Sequence, residues 1–254
     1  IWICFRQIFK RNLEKKEAFL GQIYNNLMKQ SNSFNYIIND SKNLYNTKKF
    51  KFLKNKEILI TGATGVLGNY FISFFLSSLE SNNKPKKITL IYKSKLPKYL
   101  NFLNRNKKFK LIRRDLVNLD NLKINKQDYI IYLTGYGQPS KFIKNPLKTF
   151  KINTQSLEYF IKKIKNRGRF LFLSTSEIYS GLNGIINENK VGTTSTDHPR
   201  ACYIESKRGG ETLLNLYKNK INVKTISARL CLAYGLGVKK NDERVLHQFI
   251  NKGL

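Results

Sequence analysis

The sequence KEILITGATGVLG, residues 56–68, decides the fold of this protein. It begins with a short apolar run typical of a buried strand and continues into a loop in which Gly62, Gly65 and Gly68 are spaced three residues apart. An amphipathic stretch at 66–80 follows. Glycines allow the backbone to turn tightly and to approach a phosphate group, and the amides that open a helix attract an anion. A strand, a glycine loop and a helix in this order predict a binding site for a dinucleotide pyrophosphate.

The rest of the chain alternates short apolar runs with longer amphipathic stretches. We predict strands at 56–60, 87–92, 109–112, 128–133, 169–174 and 223–229, and helices at 66–80, 146–165 and 200–219. Strands that alternate with helices favour an α/β fold with a doubly wound sheet. Residues 1–50 instead alternate helix-like segments with breaks rich in asparagine and serine. We therefore predict a helical N-terminal extension, 1–50, and one α/β domain, 51–254.

The composition argues against several classes of protein. Of the 254 residues, 41% are hydrophobic, which is enough for a sizeable core. Three cysteines without a Cys-x-x-Cys pair and two histidines do not favour a disulfide framework or a zinc site, so we expect no bound metal. Reduced cysteines fit a cytoplasmic location. The longest apolar runs are far shorter than the roughly 18–20 residues of a membrane span, so we expect no membrane contact.

The formal net charge of +31 has three readings. A basic surface can bind nucleic acid, steer an anionic ligand, or reflect drift toward lysine, asparagine and other residues with A/T-rich codons. The lysines are scattered along the chain, and no RNA-binding or helix-turn-helix signature is present. The pattern favours compositional drift as the explanation of the charge, followed by steering of an anionic ligand and then by nucleic-acid binding.

A second motif lies in HPRACYIESKRGGETLLNLY, where Tyr203 and Lys207 are four residues apart in a predicted helix. Residues at this spacing share one face of a helix. A lysine ammonium beside a phenol stabilises the phenolate, lowers the tyrosine pKa and suits it to act as a general base. Because Tyr-x-x-x-Lys is common by chance in a lysine-rich chain, the interpretation depends on the surrounding motifs.

Together these motifs resemble the extended short-chain dehydrogenase/reductases. The glycine triplet G-x-x-G-x-x-G and the Tyr-x-x-x-Lys pair lie about 140 residues apart, with the strand end LSTSEIY (173–179) between them. This combination is similar to the NAD-dependent epimerase/dehydratase family, which acts on nucleotide sugars. The resemblance runs from about residue 54 to 254 and implies a Rossmann-type parallel sheet. Relatives usually extend further, so we expect most of the C-terminal substrate lobe to be missing from this chain.

The resemblance also implies a set of cofactor-binding residues. Asp115 would lie against the adenine, residues 133–135 would flank the cofactor, and Asn153 would lie behind the site. The implied set is Gly62, Gly65, Val66, Leu67, Gly68, Lys93, Asp115, Leu116, Leu133, Thr134, Gly135, Asn153, Tyr203 and Lys207. NAD is the expected cofactor. The second strand ends without an acid, and Lys93 or Lys95 could meet a 2′-phosphate, which leaves NADP open.

In the family, the tyrosine removes a proton from the sugar C4 hydroxyl. The resemblance therefore gives this role to Tyr203, with Lys207 lowering its pKa and holding the ribose, and with Thr175 hydrogen-bonding the reacting oxygen. Glu177 would assist a second step, unless it only pairs with a lysine. Ser176 and Arg244 would bind substrate.

The pair Ser176–Glu177 replaces the Asp-Glu of sugar 4,6-dehydratases. Together with CY--SKR-GE and NDERVLHQFI (241–250), it resembles UDP-glucuronate decarboxylases. Leu232 and Leu236 depart from the family pattern and leave the sugar in doubt. We predict a decarboxylase of this kind; the alternatives are a nucleotide-sugar 4-epimerase, a 4,6-dehydratase, and a non-catalytic NAD- or RNA-binding protein.

The expected partners are a UDP- or dTDP-sugar and a second copy of the chain. Helices 146–165 and 200–219 carry more apolar residues than one sheet face needs, and family members commonly pair these helices into a dimer. If the substrate lobe is missing, the 254-residue chain should bind NAD or NADP but turn over little nucleotide sugar.

Overall fold

Six parallel strands form one sheet at the centre of the protein. The computed structural model describes residues 30–47, 50–79, 81–233, 235, 238 and 242–253. The strands are β1 (Glu57–Thr61), β2 (Lys87–Tyr92), β3 (Phe109–Arg113), β4 (Gln127–Tyr132), β5 (Ile164–Thr175) and β6 (Lys224–Leu230), in the spatial order β3-β2-β1-β4-β5-β6. The order reverses between β1 and β4, where such sheets bind ligands at the carboxyl ends of the strands. The predicted doubly wound α/β sheet is confirmed.

Helices cover both faces of the sheet. They are α1 (Gln30–Thr47), α2 (Val66–Leu79), α3 (Pro139–Lys144), α4 (Pro146–Lys151), α5 (Leu157–Ile161), α6 (Ala201–Ile221) and α7 (Val245–Gly253). A π-helical turn (Ile152–Ser156) joins α4 to α5, and short 3₁₀ turns lie at Lys51–Leu53, Lys98–Arg105 and Ser176–Tyr179. Among the described residues, no helix combines the length and apolar character that a membrane span requires.

Each face of the sheet has its own core because side chains alternate along a strand. On β1, Ile58 and Ile60 face one cluster, which also contains Ile72 and Phe75 of α2. Leu59, between them, faces the other cluster, which is built largely on β4, β5, α5 and α6. The three β1 residues are fully buried. The carboxyl end of β1, with the glycine loop, is therefore fixed from both sides.

Residues of the predicted N-terminal extension contribute to the first core. Helix α1 packs against α2. Phe34 belongs to the cluster around β1 and β2, and its ring lies 5.0 Å from that of Tyr99. Residues 1–29 lie outside the described part of the chain. The described part of the extension is the helix Gln30–Thr47, which docks on the α/β domain and forms in a segment rich in asparagine and serine, where the sequence pattern indicated a break.

The boundary between the helix predicted at 146–165 and the strand predicted at 169–174 is wrong. Ile161 and Ile164 extend the apolar pattern at helical spacing, but the helix ends at Ile161 and β5 begins at Ile164. The Gln127 amide donates to the Lys163 carbonyl (2.7 Å), so pairing with β4 starts here. A register shift then precedes the regular ladder, with Arg167 in the left-handed region at φ 59°. Tertiary pairing overrides the local helical pattern.

Candidate active site

The glycine loop lies against the end of β4. Gly62 has φ +66°, and a Cβ there would lie 2.9 Å from the Leu133 carbonyl carbon. A Cβ on Gly68 would lie 2.2 Å from the Ala63 carbonyl oxygen, so α2 approaches the loop more closely than any side chain allows. Gly65 is exposed at the start of α2. The loop therefore leaves a concave backbone surface at the opening of the helix.

Val66 and Leu67 open α2 and are partly exposed. The first amides of a helix have no partner within it, and they point along the helix axis with its positive dipole end. The end of β4 faces this position, where the Thr134 amide donates to the Thr61 hydroxyl (3.3 Å). These groups line the surface to which the sequence pattern assigns the pyrophosphate.

Lys93 and Asp115, predicted at the adenine end, form an ion pair with 2.8 Å between Nζ and Oδ2. Burial raises the pKa of Asp115, but the hydrogen bonds from Lys93 and from the Val117 amide outweigh it and hold this pKa below its ordinary value. The Lys93 ammonium also lies 5.7 Å from the centre of the Tyr136 ring. Tyr136 was not predicted from the sequence. The Leu116 side chain packs in the second core cluster and does not line the site.

Lys207 is buried at the centre of the site. Its ammonium donates to the Leu173 carbonyl (2.7 Å) and lies 4.7 Å from the centre of the Phe172 ring. A Cβ on Gly135 would lie only 3.4 Å from this ammonium, so the glycine keeps the space beside it open. Burial lowers the pKa of Lys207 to about 7, although the nearby Glu211 carboxylate raises it. The amine of Lys207 therefore gains and loses its proton near neutral pH.

Asn153 lies within the π-helical turn and faces the same space. Its Nδ2 donates to the Ser206 hydroxyl (2.9 Å), whereas its Oδ1 is buried and has no hydrogen-bond partner among the described residues. A Cβ on Gly135 would lie 3.7 Å from this oxygen. An unpaired buried acceptor is costly, and it fits a hydroxyl of a bound ligand. π-Turns recur at functional sites because they displace one side chain from the regular helix.

Tyr203 lies one helical turn before Lys207, with its ring centre 6.0 Å from the Lys207 ammonium. Its ring stacks on Phe142, with centroids 4.5 Å apart and an interplanar angle of 4°. The expectation that Lys207 lowers the Tyr203 pKa is wrong for the ligand-free protein. Burial raises this pKa, Glu177 raises it further, and Thr175 and Arg200 lower it. The Lys207 ammonium binds the Leu173 carbonyl rather than the phenol.

Thr175 ends β5 and is buried, and its hydroxyl accepts a hydrogen bond from the Glu177 amide (3.2 Å). Ser176 and Glu177 follow in a 3₁₀ turn that brings them to the carboxyl edge of the sheet. The Glu177 carboxylate is paired with the guanidinium of Arg200, the residue before α6. The lysine partner considered from the sequence is therefore an arginine. Arg200 was missed because nothing in the sequence links it to Glu177.

Arg244 is paired with residues of its own segment. Its guanidinium binds both oxygens of Asp242, at 2.8 and 2.7 Å, and donates to the Ala233 carbonyl. Burial raises the pKa of Asp242, but the hydrogen bonds from Arg244 overcome this effect and hold it at about 2. The predicted substrate contact of Arg244 would have to use N–H groups that do not already bind Asp242 or Ala233.

A second network, missed from the sequence, supports the site from below. The Glu211 carboxylate accepts hydrogen bonds from Ser174 and from Arg229, whose Nη2 lies 2.8 Å away. Arg229 also donates to the Tyr179 hydroxyl (2.8 Å) and to the Glu188 carbonyl (2.7 Å). The network joins β5, β6 and α6. Its residue Ser174 precedes Thr175, and its residue Glu211 lies one helical turn after Lys207. Within the described residues, no cluster of acidic, histidine and cysteine side chains could hold a metal.

The chain is similar to several curated proteins. It is 30% identical over 209 residues to UDP-glucuronic acid decarboxylase 1 of Danio rerio, covering 80% of this chain and 48% of the relative. It is 30% identical over 218 residues to UDP-glucuronic acid decarboxylase 6 of Arabidopsis thaliana, covering 83% of this chain and 60% of the relative. The chain thus spans about half the length of the first of these relatives and three fifths of the second.

Solved structures share the fold. A double mutant of the dTDP-glucose 4,6-dehydratase DesIV from Streptomyces venezuelae, with NAD bound, matches with a TM-score of 0.63 and 16% identity, covering 77% of this chain and 61% of that one. The UDP-N-acetylglucosamine 4-epimerase from Methanobrevibacter ruminantium M1 matches with a TM-score of 0.61 and 21% identity, covering 78% and 62%. At these identities the likeness concerns the fold.

The family model for the NAD dependent epimerase/dehydratase family matches residues 58–254. The match includes the glycine loop, Thr175, Tyr203 and Lys207, and it covers most of the chain. The predicted family is confirmed, and NAD is confirmed as the cofactor on which that family depends. This chain belongs to the NAD dependent epimerase/dehydratase family.

Proposed function

We propose that the protein oxidises a nucleotide sugar at C4 with bound NAD and then removes the C6 carboxylate as CO₂, as a UDP-glucuronate decarboxylase does. The observation that carries the proposal is the convergence of Tyr203, Lys207 and Thr175 at the carboxyl edge of the sheet, next to the glycine loop. Two curated relatives that bear this name support the choice of reaction.

The glycine loop, the first amides of α2, Asn153 and Lys207 would hold the cofactor. NAD, when bound, supplies the oxidation and the later reduction at C4. Tyr203 takes the proton of the C4 hydroxyl, and the Thr175 hydroxyl, which lies near the phenol and lowers its pKa, orients the reacting oxygen. Because burial raises the Tyr203 pKa in the ligand-free protein, the tyrosine must gain a positive neighbour to work as a base. Lys207 is the group placed to provide it.

The second step needs little help from acids. Oxidation at C4 makes the sugar a β-keto acid, in which the bond between C5 and C6 breaks with the electrons moving toward the C4 carbonyl. Tyr203 can stabilise that oxygen by donating the proton it took up. C5 then takes a proton from solvent, and Tyr203 regains its own proton as the C4 carbonyl re-forms. Besides Tyr203, the Glu177–Arg200 ion pair is the other polar group available for this step, and both of its charges affect the Tyr203 pKa. The absence of an aspartate at Ser176 argues against a 4,6-dehydratase.

A nucleotide-sugar 4-epimerase remains the second candidate because it needs the same oxidation by Tyr203, Lys207 and Thr175. The two reactions differ in their products. The whole protein is incubated with NAD and UDP-glucuronate, and CO₂ and the nucleotide product are measured by mass spectrometry. We expect CO₂ and a UDP-pentose, and neither from Tyr203→Phe. A UDP-hexuronate of changed C4 configuration without CO₂ would replace the decarboxylase by the epimerase.

We also propose that the protein forms a homodimer through α4 and α6, which pack against each other. Leu147 and Phe150 on α4 and Leu216 on α6 are exposed, with Leu147 at 78% and Leu216 at 63% of their full accessible surface. Apolar side chains concentrated on adjacent helices favour association. Light scattering should give twice the monomer mass for the unaltered protein and the monomer mass for Leu147→Glu with Leu216→Glu. A monomer in the first case contradicts the proposal.

A further inference from the structure

Arg200 and Glu177 form an ion pair beside the stacked rings of Phe142 and Tyr203. Arg200 lowers the Tyr203 pKa and Glu177 raises it, so both charges lie within electrostatic range of the phenol oxygen. The Arg200 guanidinium also lies 5.5 Å from the centre of the Phe142 ring, on which Tyr203 stacks. A ligand whose C4 oxygen lies at Tyr203 therefore has its neighbouring carbons close to this pair.

The Arg200 guanidinium has unused donors. Arg208, Arg229 and Arg244 each donate to a carboxylate and to at least one backbone carbonyl. The Arg200 guanidinium, within the described part of the chain, donates only to one oxygen of Glu177, and its Nε is buried without a hydrogen-bond partner. A guanidinium has five N–H donors arranged to hold a carboxylate through two parallel bonds. This arginine is therefore bound less completely than its chemistry permits.

Both members of the pair can be reached by a ligand. The side chains of Arg200 and Glu177 retain 38% and 28% of their accessible surface. The C6 carboxylate of a hexuronate is two carbon–carbon bonds from C4, so it would approach the same guanidinium while C4 lies at Tyr203. A neutral hexose has only a hydroxyl at C6 and would compete poorly with the Glu177 carboxylate.

We propose that Arg200 selects a sugar with a C6 carboxylate by exchanging its partner Glu177 for that carboxylate. The exchange keeps the guanidinium paired and leaves Glu177 free beside C5 and C6 of the sugar. The role rests on the proposed function because it assumes that C4 of a nucleotide sugar lies at Tyr203. It adds a specificity-determining residue that lies outside the predicted site.

The test compares the binding of UDP-glucuronate and UDP-glucose to the NAD-loaded protein by calorimetry. Arg200→Gln should weaken UDP-glucuronate by about tenfold to a hundredfold, the loss expected for a charge-assisted carboxylate contact, and UDP-glucose by less than about threefold. Arg200→Lys should recover part of the loss, since lysine keeps the charge but not the fork. Arg169→Gln, an exposed arginine in the middle of β5, is the matched control and should change neither affinity.

Glu177→Gln should change the affinity for UDP-glucuronate in the direction opposite to Arg200→Gln. Loss of the competing carboxylate should tighten UDP-glucuronate several-fold and leave UDP-glucose nearly unchanged. The NAD affinity and the thermal unfolding midpoint of each variant show whether it folds. Equal weakening of both sugars by Arg200→Gln, or no weakening of UDP-glucuronate, would overturn the proposal.

The two proposals fail differently. If the unaltered protein prefers UDP-glucuronate and loses the preference with Arg200→Gln, but releases no CO₂, selection by Arg200 stands and the proposed reaction is wrong. If it releases CO₂ while Arg200→Gln weakens both sugars alike, the reaction stands and the role of Arg200 is wrong. An unaltered protein that binds no UDP-glucuronate overturns both.

Discussion

The ring of Phe142 lies flat on the ring of Tyr203, with 4.5 Å between their centres. Phe142 lies on α3 and is 1% exposed, so it both fills the interior between α3 and α6 and fixes the plane of the phenol. We expect Phe142→Ala to destabilise the protein by about 3–5 kcal/mol. Phe142→Leu should cost less and should lower kcat more than it raises KM, because Tyr203 loses its orientation. Phe102→Leu, at an exposed site, is the control, and an unchanged kcat in Phe142→Leu would show that the stack does not position Tyr203.

Lys207 should make the stability of the ligand-free protein depend on pH. Burial lowers its pKa from 10.5 to about 7, so the unfolded chain binds more protons than the folded one between these values. Stability from this group therefore rises with pH across the window, and the full cost is present below pH 7. We expect Lys207→Met to be more stable than the unaltered protein near pH 6, by up to about 4–5 kcal/mol, with a smaller gain near pH 9.

Urea unfolding at the two pH values measures this difference. Lys218→Met, which removes an exposed lysine from the same helix, should change stability equally at both. A gain for Lys207→Met that does not shrink with rising pH would mean that the ammonium is not the source of the cost. The same variant should lose turnover, since Tyr203 loses its positive neighbour.

Gly68 should be necessary for the cofactor cradle. A Cβ at this position would lie 2.2 Å from the Ala63 carbonyl oxygen, which belongs to the backbone and cannot turn aside. In Gly68→Ala the start of α2 must move away from the loop, and the dissociation constant for NAD should rise more than tenfold. Gly137→Ala, where a Cβ meets nothing within 4 Å, is the control. Equal NAD affinities in the two variants would contradict a pyrophosphate site at this loop.

The Lys93–Asp115 ion pair should set the preference between NAD and NADP. While Asp115 neutralises Lys93, the ammonium is a weak attraction for a 2′-phosphate. Asp115→Asn frees it and should raise the affinity for NADP relative to NAD several-fold, a modest effect because the pair is partly exposed. Asp120→Asn, which removes an exposed acid from the same segment, is the control and should leave the preference between the two cofactors unchanged. If Asp115→Asn weakens both cofactors in proportion, Lys93 does not meet the ribose.

Removing one partner of the Arg229–Glu211 pair should destabilise the protein strongly. The two side chains are 17% and 11% exposed, and removal of the arginine leaves the Glu211 carboxylate buried. We expect Arg229→Met to cost about 3–5 kcal/mol, and the double variant with Glu211→Leu to recover much of that loss. Chemical denaturation of both variants measures the difference. A double variant no more stable than Arg229→Met would mean that the cost comes from lost links to Tyr179 and Glu188.

The parts of the site that could be predicted are those that one element presents at a regular spacing. Tyr203 and Lys207 share a helix face, and the glycines occupy consecutive positions in a single loop. Strand positions were predicted within one or two residues, except for β5, where pairing with β4 decides the start. The sequence order does not reveal which strands are neighbours, and the β3-β2-β1-β4-β5-β6 arrangement came from the structure.

The parts that could not be predicted depend on contacts between distant segments. Phe142 is 61 residues from Tyr203 in the chain, and the stack exists because α3 lies over α6. Arg200 pairs with Glu177 across the loop between β5 and α6, and any of many basic residues could have taken its place. The raised pKa of Tyr203 is a consequence of burial, which a motif does not specify.

The π-helical turn at Ile152–Ser156 changes how the surface of the neighbouring helices must be read. A π-turn holds one residue more than an α-helical turn, and one residue corresponds to about 100° of rotation. A helical wheel drawn through 146–161 as one continuous helix therefore assigns residues on one side of the turn to the wrong azimuth. The faces of α4 and α5 have to be plotted separately. Interface mutations chosen by heptad counting across Asn153 would point in directions that their designer did not intend.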